Sequence, residues 1–372
     1  MRIVLVGGGS GGHFYPLIAV AEALNTAPEK PELYYFGPDE YDRDTLKQHN
    51  ITYINCPAGK TRRYFSVSNF LDFFKNIIGL FVAIIRLFSV YPDVVFSKGG
   101  YTSVPVLIAA KILFIPVVIH ESDSVPGRAS KLSAKMARYI AIAYDDVAKF
   151  FPKEKTALVG IPIRQSIRQR FNKEEARAFL QIPNDKPLIY VTGGSSGADR
   201  LNNQILEALP TLLPNIRVFH QVGEINLAAI KDRAQTIITD KALLSDYYVH
   251  GSLNEETVAM ILSAADLVIT RAGSTTLYEI ALHETPAIVI PIPETISHDQ
   301  RSNAYAYARN GAGIVIEENN ISDNLLIQEI NNILTDGEKY QSMVAATRGM
   351  QYPDAANKLA NILISIGKEH GS

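Results

Sequence analysis

The chain has one cysteine, Cys56, in 372 residues, which excludes an intramolecular disulfide and any multi-cysteine metal site. A reducing compartment is the natural inference. It has no excess of charge of either sign: a net charge of -2 and a pI near 6.5 give no global basic field to recruit nucleic acid, so any anion must be held by local groups. It also has no uninterrupted apolar run long enough to cross a bilayer. The most apolar stretch, Phe70 to Tyr91, is broken by Asp72, Lys75 and Arg86, leaving the nine residues Ile77 to Ile85 where about 20 are needed. The N-terminus, MRIVLVGGGSGGHF, has too short an apolar run for a signal peptide, and no export is expected. What is present, 47% hydrophobic and 20% charged residues, builds sizeable cores and about two soluble domains.

Arg2 to Val6 reads as a β-branched strand. It runs into Gly7-Gly8-Gly9-Ser10-Gly11-Gly12, and His13 then opens a helix expected over Pro16 to Leu24. This is a Rossmann-like start, but the spacing is not the dinucleotide G-x-G-x-x-G with a later acid, so a nicotinamide cofactor is not the favoured ligand. Further strand signals at Leu33 to Phe36, Asp93 to Phe96, Val117 to His120 and Tyr139 to Ala143 alternate with helical stretches, which predicts a doubly wound parallel sheet. The unit then recurs: strand Leu188 to Thr192, loop Gly193-Gly194-Ser195-Ser196-Gly197, helix Asp199 to Leu209. Strands at Arg217 to Gln221, Tyr247 to His250, Leu267 to Ile269, Ala287 to Ile290 and Gly313 to Ile316 continue it. The proline-marked connection before Arg164 places the boundary near 160, giving domains 1–160 and 161–354. A last helix, Ala355 to Ile366 within 355–372, is expected to cross back to the first domain.

The second domain is organised around Arg271 to Asn303. Strand, tight turn at Gly273 and helix follow in order, with the hydroxyls Ser274, Thr275 and Thr276 beside the free N–H groups of the helix start. That is an anion pocket. Glu279, one turn further in, is a carboxylate placed for a ribose diol, and a polar loop after the next strand carries His298, Asp299, Gln300 and Asn303. The plainer alternative makes Glu279 a solvated helix residue and the hydroxyls caps. Two readings also stay open for Phe70 to Tyr91. One is a core-packing helix, the usual fate of such a pattern. The other is a helix lying partly exposed so that Phe73, Phe74, Phe81 and Phe88 dip into lipid, beside the basic run Lys60-Thr61-Arg62-Arg63-Tyr64.

Six motifs now fall in order along the chain: GGGSGGHFYP, FSKGGYTSVP, IHESDSVPG, GIPIR, GGSSGA, and RAGSTTLYEIA with HDQRSNA. Together they resemble the MurG family of peptidoglycan N-acetylglucosaminyltransferases. The resemblance runs from residue 3 past 310. It implies a GT-B fold, two Rossmann-like domains facing across a cleft. It implies inverting transfer of GlcNAc from UDP-GlcNAc to the C4 hydroxyl of undecaprenyl-pyrophosphoryl-MurNAc-pentapeptide (lipid I), with no metal and no cofactor. It further implies peripheral attachment to the anionic cytoplasmic face of the cell membrane, alongside other cell-wall synthesis proteins.

Residue by residue, the resemblance gives Glu279 the ribose hydroxyls, Ser274 to Thr276 the diphosphate, Ser195 a further phosphate contact, Arg164 a place by the nucleotide, and Gln300 the donor sugar, with Asn303 beside it. Ser10, Gly11 and Gly12 approach donor and acceptor from the other domain. This chain departs from the family at Ser196, where many members have Gln, and at His120-Glu121-Ser122-Asp123, where they have His-Glu-Gln-Asn. Asp123 accepts from a sugar hydroxyl but cannot donate as Asn does. Two rival classes share the donor motif: another GT-B enzyme, such as a diacylglycerol glycosyltransferase or a UDP-GlcNAc 2-epimerase, and a non-catalytic nucleotide-sugar binding protein.

Inverting transfer needs a base for the attacking hydroxyl and stabilisation of the departing UDP. A helix N-terminus and Arg164 supply the second. His13 is the candidate base, because the positive end of a helix disfavours the imidazolium and keeps a neutral ring at pH 7. Glu121 and Asp123, from another loop of the same domain, are the alternatives.

Overall fold

A computed structural model describes residues 1–60, 67–194, 198–293 and 298–371. They fold into two compact units, Met1–Gln165 with Tyr352–Ser372, and Ser166–Gln351.

The first unit holds seven parallel strands: β1 (Arg2–Gly7), β2 (Glu32–Gly37), β3 (Ile51–Asn55), β4 (Val94–Gly99), β5 (Val117–Glu121), β6 (Tyr139–Ile142) and β7 (Thr156–Leu158). Their order is β3-β2-β1-β4-β5-β6-β7. Ile3, Val4, Leu5 and Val6 are all buried, as both faces of a central parallel strand must be when helices cover each side. Strands β3 and β7 escaped the sequence reading. They lie at the two edges of the sheet, where half-exposed residues leave no continuous apolar run. The helix expected from Pro16 begins earlier, at Gly11, and runs to Thr26, so the last two glycines of the loop and His13 form its first turn. The closing helix, Ala355–Gly371, puts Leu359, Leu363 and Ile366 into one core with Phe14, Leu17, Ile18 and Leu24.

The division between units falls after Gln165, a few residues beyond the expected position near 160. The segment beyond Gly160 is tied to the first unit, because the Gln165 N–H donates to Glu22 Oε2 at 2.8 Å. The chain returns at Tyr352, whose Cβ sits against Gly160; a side-chain carbon added there would come within 2.2 Å of it.

The second unit is a six-stranded parallel sheet: β8 (Leu188–Thr192), β9 (Arg217–Gln221), β10 (Tyr247–His250), β11 (Leu267–Thr270), β12 (Ala287–Val289) and β13 (Gly313–Val315), in the order β10-β9-β8-β11-β12-β13. The strand, glycine loop and helix of the N-terminus recur here as β8, Gly193-Gly194 and Asp199–Leu212. The polar loop expected to carry Gln300 and Asn303 is instead the start of a helix, His298–Arg309, which Ala304 and Tyr307 anchor in the core at a spacing of three.

The Phe-rich segment is a helix, Val67–Val90, and the core-packing reading of it is wrong. Only a narrow stripe is held: Ala83 and Leu87 are buried, Asn76 exchanges two hydrogen bonds with the Gly59 backbone, and Gly79 lies against the Pro57 carbonyl so closely that any side chain would collide. Phe70, Phe73, Phe74, Ile78, Phe81, Ile85 and Phe88 all face solvent. By length and composition Phe70–Val90 is apolar enough to cross a bilayer, but the buried stripe belongs to the fold of its own unit. The basic positions Arg62 and Arg63 lie outside the described residues.

Candidate active site

In a doubly wound sheet the crevice forms at the carboxyl ends of the strands, where the order reverses. In the first unit this lies between β1 and β4. Three loops meet there: Gly7 to Gly12 after β1, Lys98 to Gly100 at the end of β4, and Glu121 to Asp123 at the end of β5. The glycines are required by close approach. A Cβ on Gly8 would fall 2.5 Å from Tyr35 Oη, and Gly9 has φ +81°.

Ser10 is the N-cap residue of Gly11–Thr26, but its hydroxyl turns to His13, with Oγ 2.8 Å from Nδ1. Gly11 and Gly12 are the first two helical residues. The His13 ring is part-exposed, and its pKa is lowered to about 4, first by burial among protein atoms and then by the Lys98 ammonium, against the opposing charge of Asp123. The ring is neutral at pH 7, and burial and then a lysine make it so, rather than the helix end that the sequence suggested.

Glu121 is buried, with Oε1 accepting the Asp123 N–H at 2.9 Å and Oε2 without a partner among the described residues. Burial and then Asp123 raise its pKa to about 7. His120, inside β5, donates through Nε2 to the Gly160 carbonyl at 2.7 Å and is a packing residue. Lys98 was missed as a site residue. It lay in the quoted motif FSKGGYTSVP, and a lysine following the apolar run of a central strand was the available signal. Arg164 belongs to this unit, its guanidinium 3.9 Å from the centre of the Tyr15 ring.

In the second unit the reversal lies between β8 and β11. After β11 comes Arg271, then Gly273 as N-cap of the helix Ser274–Leu282, with no side-chain cap and no acidic residue in the first turn. The tight turn expected at Gly273 is made with an ordinary backbone. Gly273 has φ -67° and ψ 123°, and a Cβ there would meet nothing nearer than Thr276 Oγ1 at 3.9 Å, so the fold itself does not demand a glycine. The glycine leaves open the space in front of the helix start. Ser274 is buried, and Thr275 Oγ1 is buried with no partner among the described residues.

Glu279 is part-buried, and its charge reaches the Tyr190 hydroxyl on β8. Gln300 Oε1 accepts the Ile292 N–H at 3.3 Å, while Asn303 is buried and donates to the Ala272 carbonyl at 3.4 Å, bracing the turn. Arg271, which sequence reasoning left without a role, fixes the turn from behind, bonded to the Ile290 carbonyl at 3.2 Å and paired with buried Glu318. Ser195 lies outside the described residues.

Two doubly wound sheets, each carrying a glycine loop after its first strand, with an uncharged histidine in one unit and an uncapped helix start beside a carboxylate in the other, define a glycosyltransferase of the GT-B fold. Residues 3–142 match the glycosyltransferase family 28 N-terminal domain and residues 188–359 its C-terminal domain. The chain is 34% identical over 352 residues, 94% of its length and 96% of the relative's, to a protein of Bacillus thuringiensis subsp. konkukian. That relative is named UDP-N-acetylglucosamine–N-acetylmuramyl-(pentapeptide) pyrophosphoryl-undecaprenol N-acetylglucosamine transferase 2. A Treponema denticola protein of the same name, without the numeral, is 31% identical over 380 residues, covering 98% of this chain and 97% of its own. The crystal structure of Acinetobacter baumannii MurG superposes with a TM-score of 0.75 at 24% identity, covering 98% of this chain and 99% of that one. A UDP-GlcNAc 2-epimerase from Neisseria meningitidis bound to UDP-GlcNAc shares the fold at TM-score 0.71 and 13% identity over 98% of this chain and all of that one. The chain belongs to glycosyltransferase family 28, on the branch of the MurG N-acetylglucosaminyltransferases.

Proposed function

We propose that this glycosyltransferase moves N-acetylglucosamine from UDP-GlcNAc to the C4 hydroxyl of lipid I, with inversion, giving lipid II. The observation that carries the chemistry is the His13 ring, part-exposed, kept neutral and hydrogen-bonded through Nδ1 to Ser10. With Nδ1–H donating to Ser10 Oγ, Nε2 is the bare acceptor that takes the proton as the C4 oxygen attacks C1 of the sugar. The bond from C1 to the β-phosphate oxygen breaks on the opposite face. The charge that appears on the leaving diphosphate meets the uncapped N–H groups at Ser274 to Thr276 and the Thr275 hydroxyl, while Glu279 accepts from the ribose hydroxyls. Gln300 lies on the donor-sugar side of the same unit, and Asp123 and Glu121 accept from acceptor or sugar hydroxyls in the first.

The enzyme works as a peripheral protein on the cytoplasmic membrane face. The exposed Phe70, Phe73, Phe81 and Phe88 ride on one helix, flanked by the cations Lys75 and Arg86, and Ile112, at the end of the helix Val104–Ile112, and Phe114, just beyond it, are also exposed. An apolar stripe with flanking cations suits the boundary of an anionic bilayer, where a lipid-linked acceptor presents its sugar.

Incubating the purified protein with radiolabelled UDP-GlcNAc and a short-chain lipid I analogue tests this directly. A labelled disaccharide lipid is expected. Transfer to diacylglycerol alone, or release of free N-acetylmannosamine, would replace the reading with the transferase or epimerase that shares the fold.

A further inference from the structure

Lys98 is the one charged side chain at the first unit's site that sequence reasoning left without a task. Lys98 is 2% exposed, yet its ammonium donates to Ser122 Oγ at 2.7 Å and has no carboxylate within ion-pair distance among the described residues. Burying a charge that way is costly, several kcal/mol in order of magnitude, unless the surrounding field repays it. The backbone is shaped to admit the side chain: Gly7 has no Cβ, and one placed there would lie 3.0 Å from Lys98 Cβ.

We propose that Lys98 is a positioning residue of the acceptor-side centre: its buried ammonium, seated on Ser122, is the fixed countercharge that lets an aspartate, Asp123, stand beside Glu121 and His13. This rests on the glycosyltransferase reading above. The titratable groups facing Lys98 come from two elements. His13 lies on the helix Gly11–Thr26, and His120, Glu121 and Asp123 lie on β5 and the loop that follows it.

Asp123 pushes His13 and Glu121 upward, and Lys98 pushes both down. Burial lowers the Lys98 pKa, and the charges of Glu121 and Asp123 oppose that shift. The ammonium therefore adds to burial in keeping His13 unprotonated, and it draws Glu121 back toward ionisation. It does so from a position that Ser122, at the turn between the two acids, fixes by a hydrogen bond. A glutamine or methionine in place of Lys98 fills the space but leaves the two acids unopposed.

The test compares wild type, K98M, K98R, D123N and K98M/D123N by two readouts: the pH profile of kcat/KM for transfer to the lipid I analogue, and the ionisation of the His13 ring followed by NMR. In K98M the His13 pKa rises toward its ordinary value of about 6.5. The acid limb of the profile moves up with it, and kcat falls by about 10- to 100-fold while KM for UDP-GlcNAc stays within about twofold. K98R keeps the acid limb in place even where its rate falls, and K98M/D123N returns the limb toward wild type. D123N alone, which leaves the lysine in its seat, lowers the His13 pKa further, so the inference stays testable where K98M does not fold. An unmoved His13 pKa in folded K98M overturns it, and so does an unmoved His13 pKa in D123N. Wild type that makes no disaccharide lipid, while its His13 pKa still follows Lys98, overturns the activity and leaves the countercharge standing.

Discussion

The helix Val67–Val90 allows two neighbouring residues to be set against each other. Leu87 is fully buried and Phe88 is 70% exposed, with Phe81 at 63% two turns earlier. Fully burying a Phe side chain contributes roughly 1.5 to 3 kcal/mol. Each of these two, with about two-thirds of that area still to bury, contributes about 1 to 2 kcal/mol on entering the acyl boundary. Replacing both in Phe81→Ser/Phe88→Ser should weaken vesicle binding by about 2 to 4 kcal/mol, or about 30- to 1,000-fold in partition coefficient. The melting temperature should not fall, because neither ring packs in the fold. Leu87→Ala should do the reverse, costing about 2 to 5 kcal/mol of unfolding free energy through the cavity it leaves. Co-sedimentation with vesicles containing anionic lipid reads the first quantity and denaturant unfolding the second. Transfer to a detergent-solubilised acceptor should survive the double replacement. Unchanged vesicle binding in Phe81→Ser/Phe88→Ser, with Leu87→Ala as stable as wild type, would refute both the orientation of the helix and its use as the docking face.

Three further outcomes are expected. Glu279→Ala should weaken UDP binding by roughly 2 to 4 kcal/mol in a calorimetric titration with the melting temperature little changed, since a charged acceptor is lost and the ribose hydroxyls are left unpaired. His13→Ala should lower kcat by about 10² to 10⁴ with KM for UDP-GlcNAc nearly intact, and a loss confined to KM would reassign the residue to binding. Glu284, held by Arg348 at 2.9 Å and Arg170 at 2.6 Å, has its pKa lowered to about 2, first by the Arg348 hydrogen bond. Its stabilisation is complete above the unfolded carboxylate pKa of about 4.3 and is lost as pH falls through the folded value. Because both arginines are solvent-exposed, Glu284→Gln should cost only about 1 kcal/mol at pH 7, and urea unfolding should show that difference shrinking between pH 4 and pH 2.

The sheet was legible from residues because parallel strands buried on both faces, such as Ile3 to Val6 and Leu267 to Thr270, write continuous apolar runs, and because the strand, glycine loop and helix unit is written twice. The edge strands Ile51–Asn55 and Thr156–Leu158 were not legible, since half their residues face solvent. Gly8 is required by the Tyr35 hydroxyl packed against it, while Gly273, at the expected tight turn, has an ordinary backbone with open space around it. A sequence says that a Cβ is missing; only the coordinates say whether protein or empty space lies where it would have been.

The site was less legible than the fold for a related reason. His13 after the glycine loop, Glu121 at the end of an apolar strand and Glu279 in the helix behind the hydroxyl cluster are nominated by residue type and position. Their protonation does not follow from type or position. The helix-end argument for His13 reached a neutral ring by way of a dipole worth typically 0.3 to 1 kcal/mol. The larger causes, burial and the Lys98 charge, come from a strand some 85 residues further along the chain. Lys98 in turn reads in sequence as a polar interruption at a strand end, a position where a solvated lysine is the ordinary expectation. What makes it part of the site is that β4 is the neighbour of β1 at the reversal of strand order, so that whatever ends β4 must face whatever begins the helix after β1. Strand order is the quantity that sequence patterning leaves undetermined. Once it is known, the lysine, the histidine and the two acids form one electrostatic unit whose members have to be perturbed together.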